Sequence, residues 1–167
     1  LGCNCSASGT AGNRTHHITT RRVKMGLFFI RGADDVSFID SEVGPQQSGN
    51  MNWISAAYQT NDAAERILLL RTRVHDILSA NPGDHTDCIG IDDANGVTIR
   101  DTVIERCQHF SVIFGNDFNG RSARNVVIEG GRLDCCTTVT GVSPGYYSVG
   151  FGGLSGPVTI RGNVVPR

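Results

Sequence analysis

The sequence predicts an all-β fold, a parallel β-helix of about six coils. Two observations support that prediction: a recurring pattern of apolar residues, and columns of opposite charge that follow the same repeat. A pattern of eight residues recurs along the chain: an apolar residue, any residue, an apolar residue or Thr, any residue, a pair of turn residues, any residue and an apolar residue. Its six copies begin at Ile18, Val36, Ile67, Val97, Val126 and Val158, so the starts differ by 18, 31, 30, 29 and 32 residues. One repeat alone cannot bury its apolar row, whereas stacked repeats form a continuous core.

The first three residues of each copy predict a short strand. Side chains alternate across a strand, so the first and third positions share the inner face. The second position is mostly polar, as an outer face requires: Thr19, Ser37, Leu68, Thr98, Val127 and Thr159. The seventh position reads Lys24, Glu42, Arg73, Val103, Arg132 and Val164, and the fourth reads Arg21, Ile39, Leu70, Arg100, Glu129 and Arg161. Opposite charges that stack directly attract each other, so these columns favour the proposed register.

A second short strand is predicted between successive copies. The segments are Leu27–Ile30, Trp53–Ala57, Cys88–Ile91, Ser111–Phe114 and Ser148–Phe151. The β-helix domain is therefore predicted over residues 16–167, and residues 1–15 form a polar, Gly-rich segment or the remnant of a preceding coil. The β-helix is expected to be incomplete or uncapped at its ends.

The segment from Asp62 to Ala80 has a second interpretation. Its apolar residues, among them Ile67, Val74 and Ile77, also fit one face of an amphipathic helix. The strand is favoured, because residues 66–74 fall on the repeat and no Gly or Pro caps a helix there.

Composition excludes two classes of partner and indicates a compartment. A net charge of −1 gives nucleic-acid binding no electrostatic support. The sequence contains no run of 18 apolar residues, which is about the length that a membrane-spanning helix needs. Six cysteines indicate disulfides and an oxidising environment, so we expect an extracellular or cell-surface location. Cys107 and Cys136 each lie ten residues after the start of their copy, so a bridge between them is predicted, with Cys135 as the alternative partner of Cys107.

The segments Gly96-Val-Thr-Ile-Arg-Asp-Thr102 and Pro157-Val-Thr-Ile-Arg-Gly-Asn163 resemble coils of the right-handed parallel β-helix proteins, the pectate-lyase-like superfamily. The resemblance covers roughly residues 16–167. His85-Thr86-Asp87-Cys88-Ile89 is similar to the Asn-Thr-Asp segment of polygalacturonases, and more similar to uncharacterised secreted bacterial β-helix proteins. The resemblance implies a secreted carbohydrate-active protein that binds or cleaves a polysaccharide, as a lyase or a hydrolase.

The polygalacturonase pattern is incomplete in this chain. That family places an Asp-Asp pair about one coil later, where this sequence has Gln108-His109. Of the family's acidic residues, only Asp87 has a match in this sequence. The second carboxylate that hydrolysis by a carboxylate pair requires is therefore missing from the matching position.

Aligned second strands nevertheless bring polar residues together at one corner. Two columns are predicted: Asn52, Asp87, Phe110 and Tyr147 in one, and Met51, Thr86, His109 and Tyr146 in the next. The candidate catalytic residues are Asp87, His85, His109 and Arg106, because imidazoles transfer protons near neutral pH and a guanidinium neutralises a uronate carboxylate. The alternative is structural: Asp87 caps a turn and His109 stacks on Tyr146.

Candidate substrate-binding residues are Trp53, Tyr146 and Tyr147, whose rings suit stacking on sugars. No cofactor is predicted, apart from a weaker case for Ca²⁺ at the column of Asp34, Glu65 and Asn95, where Arg66 intrudes. The competing functional class is a non-catalytic structural or adhesive module, such as a tailspike, adhesin or filament subunit. Its support is the expected open ends, which suit end-to-end self-association or a larger parent chain.

Overall fold

The computed structural model describes residues 3–8, 14–47, 51–55, 62–79, 81, 84, 86–115, 121–136, 147–154 and 156–166. Within these ranges the regular structure consists of strands, without any helix. No helix that is long and apolar enough to cross a membrane occurs in this part of the chain.

The strands are short, and they follow one another at turns. Their bounds are β1 Cys3–Ser8, β2 His16–Arg21, β3 Lys24–Arg31, β4 Asp34–Ile39, β5 Glu42–Val43, β6 Asn52–Ser55, β7 Ala64–Leu70, β8 Arg73–Ile77, β9 Ile89–Ile91, β10 Ala94–Arg100, β11 Val103–Cys107, β12 Val112–Phe114, β13 Val126–Glu129, β14 Arg132–Cys135, β15 Val149–Phe151 and β16 Val158–Arg161.

These strands form two all-parallel sheets that curl into an all-β solenoid. One sheet has the order β16-β13-β10-β7-β4-β2, and we call it the first face. The other sheet has two arms that share β3, whose Lys24 and Met25 pair with β5 while Phe29 to Arg31 pair with β6. The arm β3-β5-β8-β11-β14 is the second face, and the arm β3-β6-β9-β12-β15 is the third face; β1 also pairs with β3. From β4 to β15, each coil contributes one strand to each face in turn.

The register expected from the repeat is confirmed. Val97 lies opposite Ile67, and Val126 lies opposite Val158, as the copies require. The charge columns are confirmed as well, since Glu42 pairs in register with both Lys24 and Arg73. The alternative helix over residues 62–80 is wrong: β7 and β8 occupy this segment, and their strand pairing to neighbouring coils buries alternate residues.

The core runs along the solenoid axis as rows of equivalent apolar residues. The first and third positions of the four inner copies are buried, in the rows Val36, Ile67, Val97 and Val126, and Phe38, Leu69, Ile99 and Ile128. Phe28 stacks on Phe38 with ring centroids 5.1 Å apart, which joins two faces inside the solenoid. Each row removes apolar surface from water on successive coils, so the coils stabilise one another.

A row of hydroxyl groups holds the turn between the first and second faces. Ser41, Thr72 and Thr102 are buried at equivalent turn positions. The backbone N–H of Thr72 donates to Oγ1 of Thr102 at 3.3 Å, and that hydroxyl in turn donates to the carbonyl of Arg100 at 3.0 Å. The hydroxyl groups of this row provide hydrogen-bond partners for backbone N–H and C=O groups that have no partner in the sheets, because the chain turns there.

The predicted bridge between Cys107 and Cys136 is wrong, because Cys107 bonds to Cys88, with 5.3 Å between the two Cα atoms. The register slips by one residue between Glu105 and Cys107, where Arg106 has a left-handed backbone with φ 52°. Cys107 therefore lies level with Cys135 rather than Cys136. Cys135, the alternative partner, contacts the sulfur of Cys136 instead.

Candidate functional site

The predicted catalytic carboxylate is buried. Asp87 has 0% of its surface exposed, and its Oδ1 accepts a hydrogen bond from the backbone N–H of Phe110 at 2.9 Å. Phe110 lies just before β12, so the carboxylate holds the turn that starts this strand. This contact is the turn-capping role that the sequence offered as the structural alternative.

Arg106 lies on the outer surface of the second face and is engaged by carboxylates there. Its Nε donates to Oδ1 of Asp76 at 2.6 Å, and a terminal nitrogen donates to Oδ2 at 2.5 Å. The other terminal nitrogen reaches Glu105 at 3.2 Å. The guanidinium lowers the pKa of Asp76 to about 2. Arg106 therefore acts on the preceding coil rather than on Asp87.

The remaining members of the predicted catalytic group are only partly placed. His109 is half-buried, and its backbone N–H donates to the carbonyl of Thr86 at 3.1 Å. His85 and Tyr146 lie outside the described residues. Among the four candidate catalytic residues, the structure thus separates a buried Asp87 from an exposed Arg106.

The predicted column of second-strand residues is right for three members and wrong for Asn52. Ile89 lies opposite Val112, and Val112 lies opposite Val149, so Asp87, Phe110 and Tyr147 each precede an aligned residue by two positions. Asn52, by contrast, lies opposite Ile89 itself. The segments before these strands differ in length. Aligning the strands on their apolar residues alone therefore places Asn52 level with Asp87, two positions away from Ile89, which it faces in the structure.

Asn52 is a structural residue that links three coils. It is fully buried, its Oδ1 accepts from the backbone N–H of Phe28 at 2.8 Å, and its Nδ2 donates to the carbonyl of Cys88 at 2.8 Å. A buried amide with both ends bonded stabilises the stack, because neither polar group is left without a partner.

Trp53 stands on the outer surface of the third face. Asn52 and Ile54 on either side of it are buried, while Trp53 is half-exposed, as strand alternation requires. Its ring lies over Gly90 of the next coil, where a Cβ would come within 2.6 Å of the indole. Phe29 is in register with Trp53 on the preceding coil, and the guanidinium of Arg31 lies 5.5 Å from the Phe29 ring centre.

A second aromatic ring lies against a glycine further along this face, although that glycine is in register with Ile113. The ring of Phe110 lies against Gly150, where a Cβ would come within 2.9 Å of it. Tyr147, another predicted binding residue, is 66% exposed. We call Phe29, Trp53 and Phe110, with the two glycines beneath them, the aromatic platform. It runs along the solenoid axis.

The acidic column considered for Ca²⁺ exists but is occupied by arginines. Asp34, Glu65 and Asn95 lie in register on successive coils. Asp34 pairs with Arg14, and Arg66 reaches Asp34 at 3.6 Å and Glu65 at 3.0 Å. Guanidinium groups therefore take the oxygens that a cation would need. The residues that the structure describes contain no cluster of three or more His, Cys, Asp or Glu suited to a metal.

A groove at the corner between the first and second faces was not anticipated from the sequence. It has a volume of about 490 Å³ and is lined by charged turn residues, among them Arg22, Asp40 and Arg71. The charge columns along these turns are the one signal of it in the sequence. The sequence does not indicate that the turn leaves a concave surface.

Comparisons with protein-family models, with curated proteins and with solved structures found no match for this chain.

Proposed function

We propose that this protein is a secreted carbohydrate-active β-solenoid that binds a polysaccharide along the aromatic platform. The observation that carries the proposal is the Trp53 indole over Gly90, half-exposed on a parallel sheet. A glycine beneath the ring lets the indole approach the backbone, so that one side of the ring rests on the sheet. An aromatic ring held in this way suits contact with the apolar face of a sugar.

Two further observations support a secreted carbohydrate-active protein. The coils at residues 96–102 and 157–163 resemble those of the pectate-lyase-like superfamily, whose members commonly act on polysaccharides. The bond between Cys88 and Cys107 is typical of proteins in oxidising compartments, which supports an extracellular or cell-surface location.

The contacts of the predicted catalytic residues favour binding over cleavage. A general acid or base must reach the proton that it transfers, whereas Asp87 is fully buried and bonded to a backbone amide. Arg106, the candidate for neutralising a substrate charge, is held by Asp76. We therefore propose a binding protein, with lyase or hydrolase activity as the outcome that an assay for products would reveal.

The experiment is a panel of neutral, uronate-rich and sulfated polysaccharides, tested for binding and for reducing-end and unsaturated products. Wild type, Trp53→Ala and Phe151→Ala run side by side. Phe151 is the control because it is also an exposed aromatic residue, while its ring stacks on Phe114 of the inner row. We expect Trp53→Ala to weaken the binding of at least one glycan about tenfold or more, with Phe151→Ala near wild type.

Three results would change the proposal. Unchanged affinity in folded Trp53→Ala would contradict the aromatic platform. Product that forms with wild type and not with folded Asp87→Asn would make the protein an enzyme at the Asp87 corner, a lyase if the product is unsaturated. Neither binding nor product on any glycan would favour the non-catalytic structural class.

A further inference from the structure

The groove between the first and second faces follows the turns of all six coils. Its larger part, about 490 Å³, extends from Arg22 to Val103. A second part of about 320 Å³ extends from Arg100 to Gly162, and both parts include Asp101. We call the two together the corner groove.

Positive charge exceeds negative charge along the corner groove. Six lining residues are cations and four are anions, which leaves an excess of two positive charges in a chain whose net charge is −1. The cations are Arg22, Lys24, Arg71, Arg73, Arg100 and Arg161, and the anions are Asp40, Glu42, Asp101 and Glu129. A groove lined with an excess of one sign raises the local concentration of ligands of the opposite sign.

The cations at the two ends of the corner groove are the least neutralised. Arg22 is exposed, and its charge interacts with that of Asp40, which is already bonded to Arg71. Lys24 pairs with Glu42 at 2.7 Å but remains 80% exposed. At the other end, Arg100 and Arg161 share the single carboxylate of Glu129, at 2.6 and 2.7 Å. Both ends therefore retain donors that can bind an anion.

Three carboxylates of the groove, Asp40, Glu42 and Glu129, have pKa values below their usual range. Hydrogen bonds from Arg71 hold the pKa of Asp40 below its usual range. Lys24 and then His75 do the same for the pKa of Glu42, and Arg161 and Arg100 for that of Glu129. The groove thus presents both cationic donors and anionic acceptors, on coils spaced about 4.8 Å apart.

We propose that the corner groove binds a linear polysaccharide whose sulfate or phosphate esters are separated by hydroxyl-bearing sugars. This inference rests on the proposed function for the class of ligand, but it uses a different surface. An ester with three free oxygens accepts hydrogen bonds from cations that approach from different coils. The intervening sugar hydroxyls donate to groove carboxylates such as Asp101.

A nucleic acid fits the same groove less well. Double-stranded DNA carries a charge about every 1.7 Å along its axis. Phosphates at that density meet repulsion from Asp40, Glu42, Asp101 and Glu129, which alternate with the cations. A polymer with sparser charges and many hydroxyl donors avoids this repulsion.

The test measures binding of lightly sulfated dextran, phosphorylated dextran and unmodified dextran, which share one backbone. Wild type is compared with Arg22→Gln, Lys24→Gln and the double variant, because both side chains are exposed. Arg66→Gln is the matched control, because Arg66 is also exposed with a left-handed backbone, φ 55° against 54° for Arg22, but lies outside the groove. We expect wild type to bind an esterified dextran and not dextran itself, and the preferred ester identifies the anion.

Each single variant should weaken ester binding about two- to fivefold, the double variant should weaken it further, and Arg66→Gln should match wild type. Raising the salt concentration from roughly 0.1 M to 1 M should also weaken it, since the Debye length falls from about 10 Å to about 3 Å. No ester binding, or equal binding by wild type and the double variant, overturns the inference. Displacement by single-stranded poly-dT at equal or lower concentration also overturns it, in favour of a nucleic acid.

The outcome remains separable from that of the proposed function. Trp53→Ala should leave the ester-dependent binding unchanged, because Trp53 is on the third face. Weaker ester binding by Arg22→Gln, and weaker still by the double variant, supports the groove even if no glycan depends on Trp53. Binding of an esterified dextran that depends on Trp53 and not on Arg22 or Lys24 supports the platform and contradicts the groove.

Discussion

Asp76 and Arg106 occupy the same position on neighbouring coils, 30 residues apart, and two hydrogen bonds of 2.6 and 2.5 Å join them. Both residues have a left-handed backbone, with φ 53° and 52°. Such a conformation is unusual for residues other than Gly, Asn and Asp, so an arginine there needs support from its surroundings. The carboxylate of the preceding coil provides that support. Arg71 has the same relation to Asp40.

The Asp76–Arg106 pair makes stability depend on pH. The pKa of Asp76 is about 2 in the folded protein against an ordinary 3.8, so the native state gains stability from its charged form. This contribution is fully present above about pH 4 and is lost as the pH falls towards 2, a change of about 1 kcal/mol after allowance for solvent screening. Urea unfolding of wild type and Asp76→Asn across this range should show a difference that shrinks at low pH.

A carboxyl titration provides the control for that pH dependence. In Arg106→Gln the pKa of Asp76 should rise towards its ordinary value, since the guanidinium is the largest cause of the shift. Carboxyl chemical shifts measured by NMR would report this directly. A constant stability difference between wild type and Asp76→Asn from about pH 5 to pH 2 would contradict the assignment.

The hydroxyl row at the turn should contribute to stability at each of its members. Thr102→Val removes the acceptor for the buried N–H of Thr72 and the donor to the Arg100 carbonyl. We expect a loss of about 1–3 kcal/mol, the cost of leaving buried polar groups unpaired. Thr98→Val is the matched control, because Thr98 faces outward on the same coil and should change stability little. Equal effects in the two variants, measured by denaturant unfolding, would rule out this role for the row.

The bond between Cys88 and Cys107 should be found by peptide mapping of the non-reduced protein. It closes a loop across one coil, with a sequence separation of 19 residues. Cys88→Ser/Cys107→Ser should lose about 2–4 kcal/mol of unfolding free energy, while Cys136→Ser should stay near wild type. A mapped peptide that joins Cys107 to Cys136 would restore the pairing expected from the sequence.

The coil register could be read from the sequence because two independent patterns repeat with it. Apolar residues alternate at the start of each copy, and charges of opposite sign fall level on adjacent coils, as Glu129 does with Arg100 and Arg161. A shift of one residue would turn every buried side chain outward, so the pattern fixes the pairing strongly. The helix alternative at residues 62–80 failed for the same reason, since β7 is paired on both sides.

The functional surfaces were harder to predict because they depend on departures from the repeat. The extra residue at Arg106 moved Cys107 by one position, and the unequal segments before β6 and β9 moved Asn52 by two. Burial of Asp87 depends on the backbone turn that it caps. None of these features leaves a periodic signal in the sequence. The outward position of Trp53, by contrast, follows from strand alternation alone.

The contact between Trp53 and Gly90 gives a direct test of the aromatic platform. Gly90→Ala places a Cβ within 2.6 Å of the indole, so the ring must move off the sheet. Because Trp53 is the only tryptophan in the sequence, its fluorescence should shift to longer wavelength as solvent reaches the ring, and glycan binding should weaken together with it. Gly150→Ala is the matched control: it is on the same face, but its Cβ meets Phe110 instead, so Trp53 emission should stay unchanged. Unaltered emission in Gly90→Ala would mean that the indole does not rest on this glycine, and the platform would lose its main support.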